Sequence, residues 1–361
     1  MNDPYHWIYE FADRAMEENR PDKLHLIEIL AQSESLSNEL PDARLALCEQ
    51  GRALAQSLDE PWWSATFDYW KSEILLYYKH DPEAALAVAA KLLVEMRKPQ
   101  FAAFPHRLGV HLNFIAAYSK IDPIGYAPQI RAALDEADWN PDDSSHGVYW
   151  QLRTRFLTAI GDAEAVEVAW GHFHFACEYH AKHDSGSSHY IIYALLDLLI
   201  ALHRFEPEAA RAQTAELAEW GEELSRHDRN ERLSAIFTMW RAVGARFSGD
   251  EPSAARFYRL AMKKQTALSP PRSAVFPAAL AFHLDGDEME KALQICDATA
   301  EIAQQHGHWF EMATHLAKKC EILRLVARDF AAEAIELRQV AAKLPSKAHW
   351  EAQLSHWEQE L

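Results

Sequence analysis

Apolar positions along the chain recur at helical rather than strand spacing. From His146 onward, Tyr149, Leu152, Phe156 and Ile160 fall at i, i+3, i+7 and i+11, one stripe of a helix, while Gln151, Arg155 and Thr158 face elsewhere. Alternating runs of Val, Ile and Thr, which would signal strands, do not stand out, so the pattern predicts an all-α chain. In other segments small residues enter the stripe: Ala85, Ala89 and Leu92, or Ala255, Tyr258 and Met262. Small side chains at that spacing predict a helix that a neighbour approaches closely.

The two kinds of segment alternate, and an acidic turn divides them. The turns read His80-Asp81-Pro82-Glu83, Ile121-Asp122-Pro123, Gly161-Asp162-Ala163-Glu164, Phe205-Glu206-Pro207-Glu208, Gly249-Asp250-Glu251-Pro252, Gly286-Asp287-Glu288 and Arg328-Asp329-Phe330. Each is predicted to start a helix. The carboxylate caps free backbone N–H groups, Pro fits the first helical position, and further acids complement the positive end of the helix dipole. The acidic anchors at 81, 122, 162, 206, 250, 287 and 329 lie 41, 40, 44, 44, 37 and 42 residues apart. That spacing is a repeat, and Glu39-Leu40-Pro41-Asp42-Ala43 extends it one step earlier. The expected architecture is one repeat domain over 1–361: a capping helix in 1–21, about eight antiparallel hairpins over 22–344, and a capping helix in 345–361.

The Gly-Asp-x-x-x-Ala type of turn, with Trp/Leu/Tyr-rich first helices and Ala-rich second helices, resembles the tetratricopeptide repeat superfamily over most of the chain. Repeats of that family have about 34 residues; the longer ones here are similar to long-helix variants in bacterial regulators. The resemblance implies a right-handed α-solenoid whose first helices line a concave groove, and a protein or peptide held in that groove.

Charge narrows the partners. With 36 Lys+Arg against 54 Asp+Glu, the net charge of −18 disfavours nucleic acid and anionic membrane. A basic or neutral protein, a second copy of the chain included, suits it better. The N-terminus is acidic where a secretory signal needs a positive start. The most apolar stretch, Tyr190 to Leu202, is interrupted by Asp197 and is shorter than a membrane span, so it reads as a buried helix. Cys48, Cys177, Cys296 and Cys320 are scattered without a Cys-x-x-Cys pair, which suits free thiols in a cytoplasm.

Candidate site residues come from aligning the repeats. Nine places before the anchors stand Ser72, Asn113, Arg153, Asp197, Arg241, Ala278 and Cys320. Arg153, Asp197 and Arg241 alternate in sign, with Asn113 at the end of the row. Two readings stay open: an ion-pair ladder locking successive first helices, since Asp197 in an apolar helix needs a partner, or a polar strip that grips the bound polypeptide. Twelve Trp and nineteen His are many for this length, and most are expected to pack between repeats. Trp70, Trp150, Tyr193 and Trp240 are the candidates for an aromatic groove.

Chemistry beyond binding has thin support. His172, His174, Cys177 and His180 form the densest group of potential metal ligands, but on a helix His172 points away from His174, so no metal and no cofactor are expected. Glu-x-x-His and His-Glu-x-x-His are absent, and Asp142-Asp143-Ser144-Ser145-His146 lacks the third acid of the Asp-Asp-x-x-Asp magnesium motif of terpenoid synthases. A binding scaffold or regulator is the leading expectation. A peptide-responsive sensor with a protein-directed output and a helical metal-dependent enzyme are its rivals.

Overall fold

The computed structural model describes residues 6–37, 40–137, 145–183, 188–267 and 276–359. They are almost wholly helical, with no strand among the described residues. The helices are α1 (His6–Glu17), α2 (Pro21–Ser35), α3 (Pro41–Ser57), α4 (Pro61–Glu73), α5 (Pro82–Met96), α6 (Arg107–Ile121), α7 (Ala127–Glu136), α8 (Ser145–Ile160) and α9 (Glu164–His183). After them come α10 (His189–Phe205), α11 (Pro207–His227), α12 (Glu231–Phe247), α13 (Glu251–Ala267), α14 (Phe276–Asp285), α15 (Met289–Gln305), α16 (Trp309–Leu325), α17 (Ala331–Ala341) and α18 (Lys347–Gln359). A π-helical turn, Ile74–Tyr78, continues α4.

The chain divides into two compact units, residues 1–121 with 126–146, and residues 122–125 with 147–361. Within the first, each helix from α1 to α7 packs on the next, and α4 also touches α6. Within the second, α9 to α13 and α14 to α18 pack consecutively, and α12 also touches α14. Neighbour-on-neighbour packing of this kind fits a helical repeat.

One turn geometry recurs. Among the described residues nine turns place a residue at positive φ: Asn19, Asp59, His80, Arg229, Asp287, Ala327, Gly161, Gly249 and Gly307. In eight of them the next amide reaches back five residues, as in Arg20 N to Ala15 O (2.8 Å), Asp162 N to Leu157 O (2.9 Å) and Asp250 N to Ala245 O (2.9 Å), while after the π turn Asp81 N reaches Leu75 O (2.9 Å). This closure satisfies carbonyls at the helix end, and Gly161 and Gly249 adopt its left-handed conformation without Cβ strain.

Most acidic anchors cap as expected. Asp81, Asp162, Asp250 and Asp329 accept from Ala84 N, Glu164 N, Ser253 N and Ala331 N at 2.9–3.1 Å. Two do not. Asp287 takes the left-handed position and Glu288 is the N-cap of α15, so the anchor lies one residue later. Asp122 is buried; its Oδ1 accepts from Gly125 N (2.9 Å) and its Oδ2 from Ser346 N (2.7 Å), and α7 begins only at Ala127. Glu39 lies outside the described residues.

Tyr190–Leu202 lies inside α10, whose Ile191, Ile192, Leu195, Leu198, Leu199 and Leu202 are all buried. No helix among the described residues is long and apolar enough to cross a membrane. In α13 the buried stripe is Ala254, Ala261 and Gln265; Ala255, Tyr258 and Met262 are only half-buried, so the small-residue face is rotated from the expected one.

Candidate functional site

Asp197 on α10 is buried, and a buried carboxylate needs a donor. The donor comes from α8. Arg155 Nε gives a hydrogen bond to Asp197 Oδ1 at 2.9 Å, joining a side chain that is 47% exposed to one that is 2% exposed. Asp197 Oδ2 is buried with no hydrogen-bond partner. Burial raises the carboxyl's pKa, and the Arg155 guanidinium opposes the rise. The same guanidinium stands 5.9 Å from the Tyr193 ring, whose edge meets His189 (4.7 Å). Tyr193 precedes Asp197 by one helical turn, so an exposed cation, a half-buried ring and a buried anion meet where two first helices face each other.

The expected ladder of Arg153, Asp197 and Arg241 does not form. Arg153 Nη2 bonds Glu164 Oε1 on α9 (2.7 Å) and its Nη1 reaches Tyr149 Oη (3.4 Å). Residues two apart on a helix point about 200° from each other. Arg153 therefore faces its own second helix while Arg155 faces the next first helix.

Arg241 serves a second polar cluster, built by α11, α12 and α13. Glu222, only 6% exposed, accepts from Arg241 Nη1 (2.7 Å), Thr238 Oγ1 (2.8 Å) and Lys264 Nζ (3.2 Å). Lys264 also bonds Ser234 Oγ (2.8 Å), and Arg241 lies 4.3 Å over the Phe257 ring. Burial alone would raise the Glu222 pKa, but the donors around it hold the carboxyl below its usual value. Sequence reasoning missed this cluster, because Glu222 beside Glu223 reads as part of a solvated acidic face.

In the first unit the nine-place offset does join neighbouring first helices. Asn113 Nδ2 on α6 donates to Ser72 Oγ on α4 at 2.8 Å, both buried. Asn113 is thus a core residue rather than a groove contact. Trp70 is half-buried, edge-on to Tyr69 and packed on the core of α1 to α4.

Trp240 cannot line a groove either: it is 2% exposed and packs 4.5 Å from the His203 ring. Thr214 Oγ1 gives its own hydrogen to Ala210 O (2.6 Å), so His203 Nε2 is the donor to Thr214 Oγ1 (2.8 Å) and carries a proton. Burial holds its pKa at about 4. Trp150 is half-buried, and a Cβ at Gly171 would meet its ring at 3.4 Å. Of the aromatic candidates in the second unit, Tyr193 and Trp150 remain reachable.

The potential metal ligands do not converge. His172 is buried and His174 exposed, stacked on Trp170 at 5.9 Å, while Cys177 and His180 are half-buried. Among the described residues no group of three or more His, Cys, Asp or Glu is placed to hold a metal ion. The four cysteines are free, and burial pushes the Cys48 thiol up to about 11 and those of Cys296 and Cys320 to about 12. Such thiols are poor nucleophiles. Asp142, Asp143 and Ser144 lie outside the described residues.

A cavity of about 230 Å³ in the first unit is lined by Phe104, Pro105, Arg107, Leu108 and His111, and contains none of the expected site residues. A comparison with models of known protein families finds no match, and a comparison with curated proteins finds no similar sequence.

Proposed function

We propose that the chain is a tetratricopeptide-like, right-handed superhelix of about eight hairpins that binds a protein or peptide along its first helices. Supporting this are the consecutive helix packing, the first-helix pairs α4–α6 and α12–α14, and the recurring turn geometry. The observation that carries the binding reading is the Arg155–Tyr193–Asp197 group on α8 and α10. Asp197 anchors Arg155 through Nε. The guanidinium, on a side chain 47% exposed, presents its positive charge to a carboxylate of the bound polypeptide, and the Tyr193 ring offers apolar contact beside it.

The test is peptide display against the full chain, followed by binding of the selected peptides to a double variant, Arg155→Gln with Asp197→Asn. The neutral pair keeps a hydrogen bond and avoids stranding a buried charge. Selected peptides should lose affinity about tenfold or more, the loss of a charge-assisted contact. Unchanged affinity in a folded variant would remove this group from the binding surface.

A further inference from the structure

The cavity in the first unit stands at the N-terminal end of α6. Phe104, Pro105 and Leu108 give it apolar walls, and the exposed Ala102 and Ala103 form its rim. Two polar side chains join the same wall, Arg107 and, one helical turn on, His111. The first turn of α6 carries no acid to meet its free N–H groups and the positive end of its dipole. A dry cavity of about 150 Å³ takes up benzene. At about 230 Å³ this one has room for such a ring and a small polar head.

His111 is the unusual member. It is only 8% exposed, and its Nδ1 is fully buried with no hydrogen-bond partner, which leaves the Nε2 edge of the ring to line the cavity. An enclosed N–H without an acceptor is rarer in folded proteins than a bare acceptor, so the neutral ring keeps its proton on Nε2. His283, also buried, shows what a buried imidazole elsewhere in the chain receives: Glu288 at Nδ1 (2.5 Å) and Tyr258 at Nε2 (3.0 Å). Burial lowers the His111 pKa, Glu136 opposes the fall, and Arg107 and Arg97 add to it. Glu136 is itself answered by Arg97 Nη2 (3.3 Å), whereas Arg107, half-buried, makes no ion pair among the described residues. The uncompensated charge at the cavity is therefore positive.

We propose that this cavity binds a small apolar carboxylate, its anionic head between the Arg107 guanidinium and His111 Nε2–H and its hydrocarbon body against Phe104 and Leu108. A wall that is mostly apolar with two convergent polar groups is the usual make-up of a small-molecule site. A half-buried cation and a buried imidazole donor, both without a protein partner, carry a desolvation cost that a bound anion would offset through charge-assisted hydrogen bonds. The cavity belongs to the first unit, so it stands independently of the Arg155–Tyr193–Asp197 reading.

The experiment is an NMR titration of the full chain with phenylacetate. Two controls run beside it: phenylacetamide, of the same size without the charge, and inorganic phosphate, charged without the apolar body. Phenylacetate should bind with a Kd of about 1 mM or tighter, and about tenfold more tightly than either control. With nitrogen-15 in the histidine rings, the Nε2 signal of His111 should move as phenylacetate is added. Arg107→Gln should weaken phenylacetate about tenfold and leave phenylacetamide unaffected. His111→Gln, whose amide can stand where Nε2–H stood, should retain binding that His111→Leu loses. Thermal unfolding checks each variant, and Arg107→Gln, at a half-buried and unpaired position, keeps the test open if His111→Leu fails to fold. Absent binding, equal binding of phenylacetate and phenylacetamide, a fixed His111 signal, or unchanged affinity in Arg107→Gln would overturn the proposal. Phosphate bound as tightly as phenylacetate would overturn it as well, since the apolar walls would then contribute nothing.

Discussion

Gly221 on α11 lies against Phe237 on α12. A Cβ at that position would stand 2.6 Å from Phe237 Cζ and closer still to two other ring carbons. Phe237 is fully buried, so its ring cannot retreat without displacing the core. The same pair recurs in the first unit, where a Cβ on Gly51 of α3 would stand 2.5 Å from Phe67 Cε2 of α4. In both cases the Phe follows the Gly by 16 residues (67 − 51 and 237 − 221). At an exposed helical site Gly→Ala would stabilise by about 1 kcal/mol through helix propensity. Overpacking a core costs about 1–3 kcal/mol, and a methyl driven into an immobile ring belongs at the upper end. Gly221→Ala should therefore destabilise by about 1–2 kcal/mol net, a fall in melting temperature of about 2–8 °C for a unit of this size. Urea and thermal unfolding measure it. Adding Phe237→Leu to Gly221→Ala should recover part of the loss, a coupling expected only of residues in contact. If Gly221→Ala is neutral or stabilising, or if the two substitutions simply add, the close approach of second to first helix is wrong.

Three further outcomes follow from the polar groups. Asp197 holds its proton to higher pH in the folded chain than in the unfolded one, so its contribution makes stability fall as pH rises from the ordinary Asp range through the raised folded pKa. Asp197→Asn should flatten that part of a stability–pH curve measured by urea unfolding, and a steeper curve would refute the burial argument. Glu222→Ala should cost about 3–5 kcal/mol, because it leaves Arg241 and Lys264 facing each other without their shared acid, and it should exceed Glu222→Gln in the same assay. Asn113→Ala, which strips Ser72 of its cross-helix donor, should lower stability by about 1 kcal/mol; no change would show that this hydrogen bond contributes nothing net.

The helical period and the punctuation between helices were legible because each rests on local chemistry. Asp81 and Asp250 cap the helices that their turns announced, and Pro21, Pro41, Pro61, Pro82 and Pro207 stand at helix starts. Where a tertiary partner intervened, the local rule failed. Asp122 spends its carboxylate on Ser346, a residue 224 positions away, and no reading of its own turn could have shown that. The site failed by a smaller margin. That Asp197 requires a basic partner follows from burial alone, but an offset counted from unequal repeats selected Arg153 when the face toward α10 belongs to Arg155. Trp240 shows the other limit: a Trp in a first helix has the same sequence signature whether it fills the core or lines a groove, and packing on His203 decides for the core. The Gly221–Phe237 contact carried a signal that could have been found, a fixed 16-residue spacing that Gly51 and Phe67 repeat.

Hydrogen exchange of the full chain, with and without a display-selected peptide, tests the central claim most directly. The account predicts protection concentrated on α8 and α10 around Arg155, Tyr193 and Asp197, with the Arg155→Gln, Asp197→Asn variant showing none. Protection confined to the outer faces of the second helices, or undiminished in that variant, would contradict it.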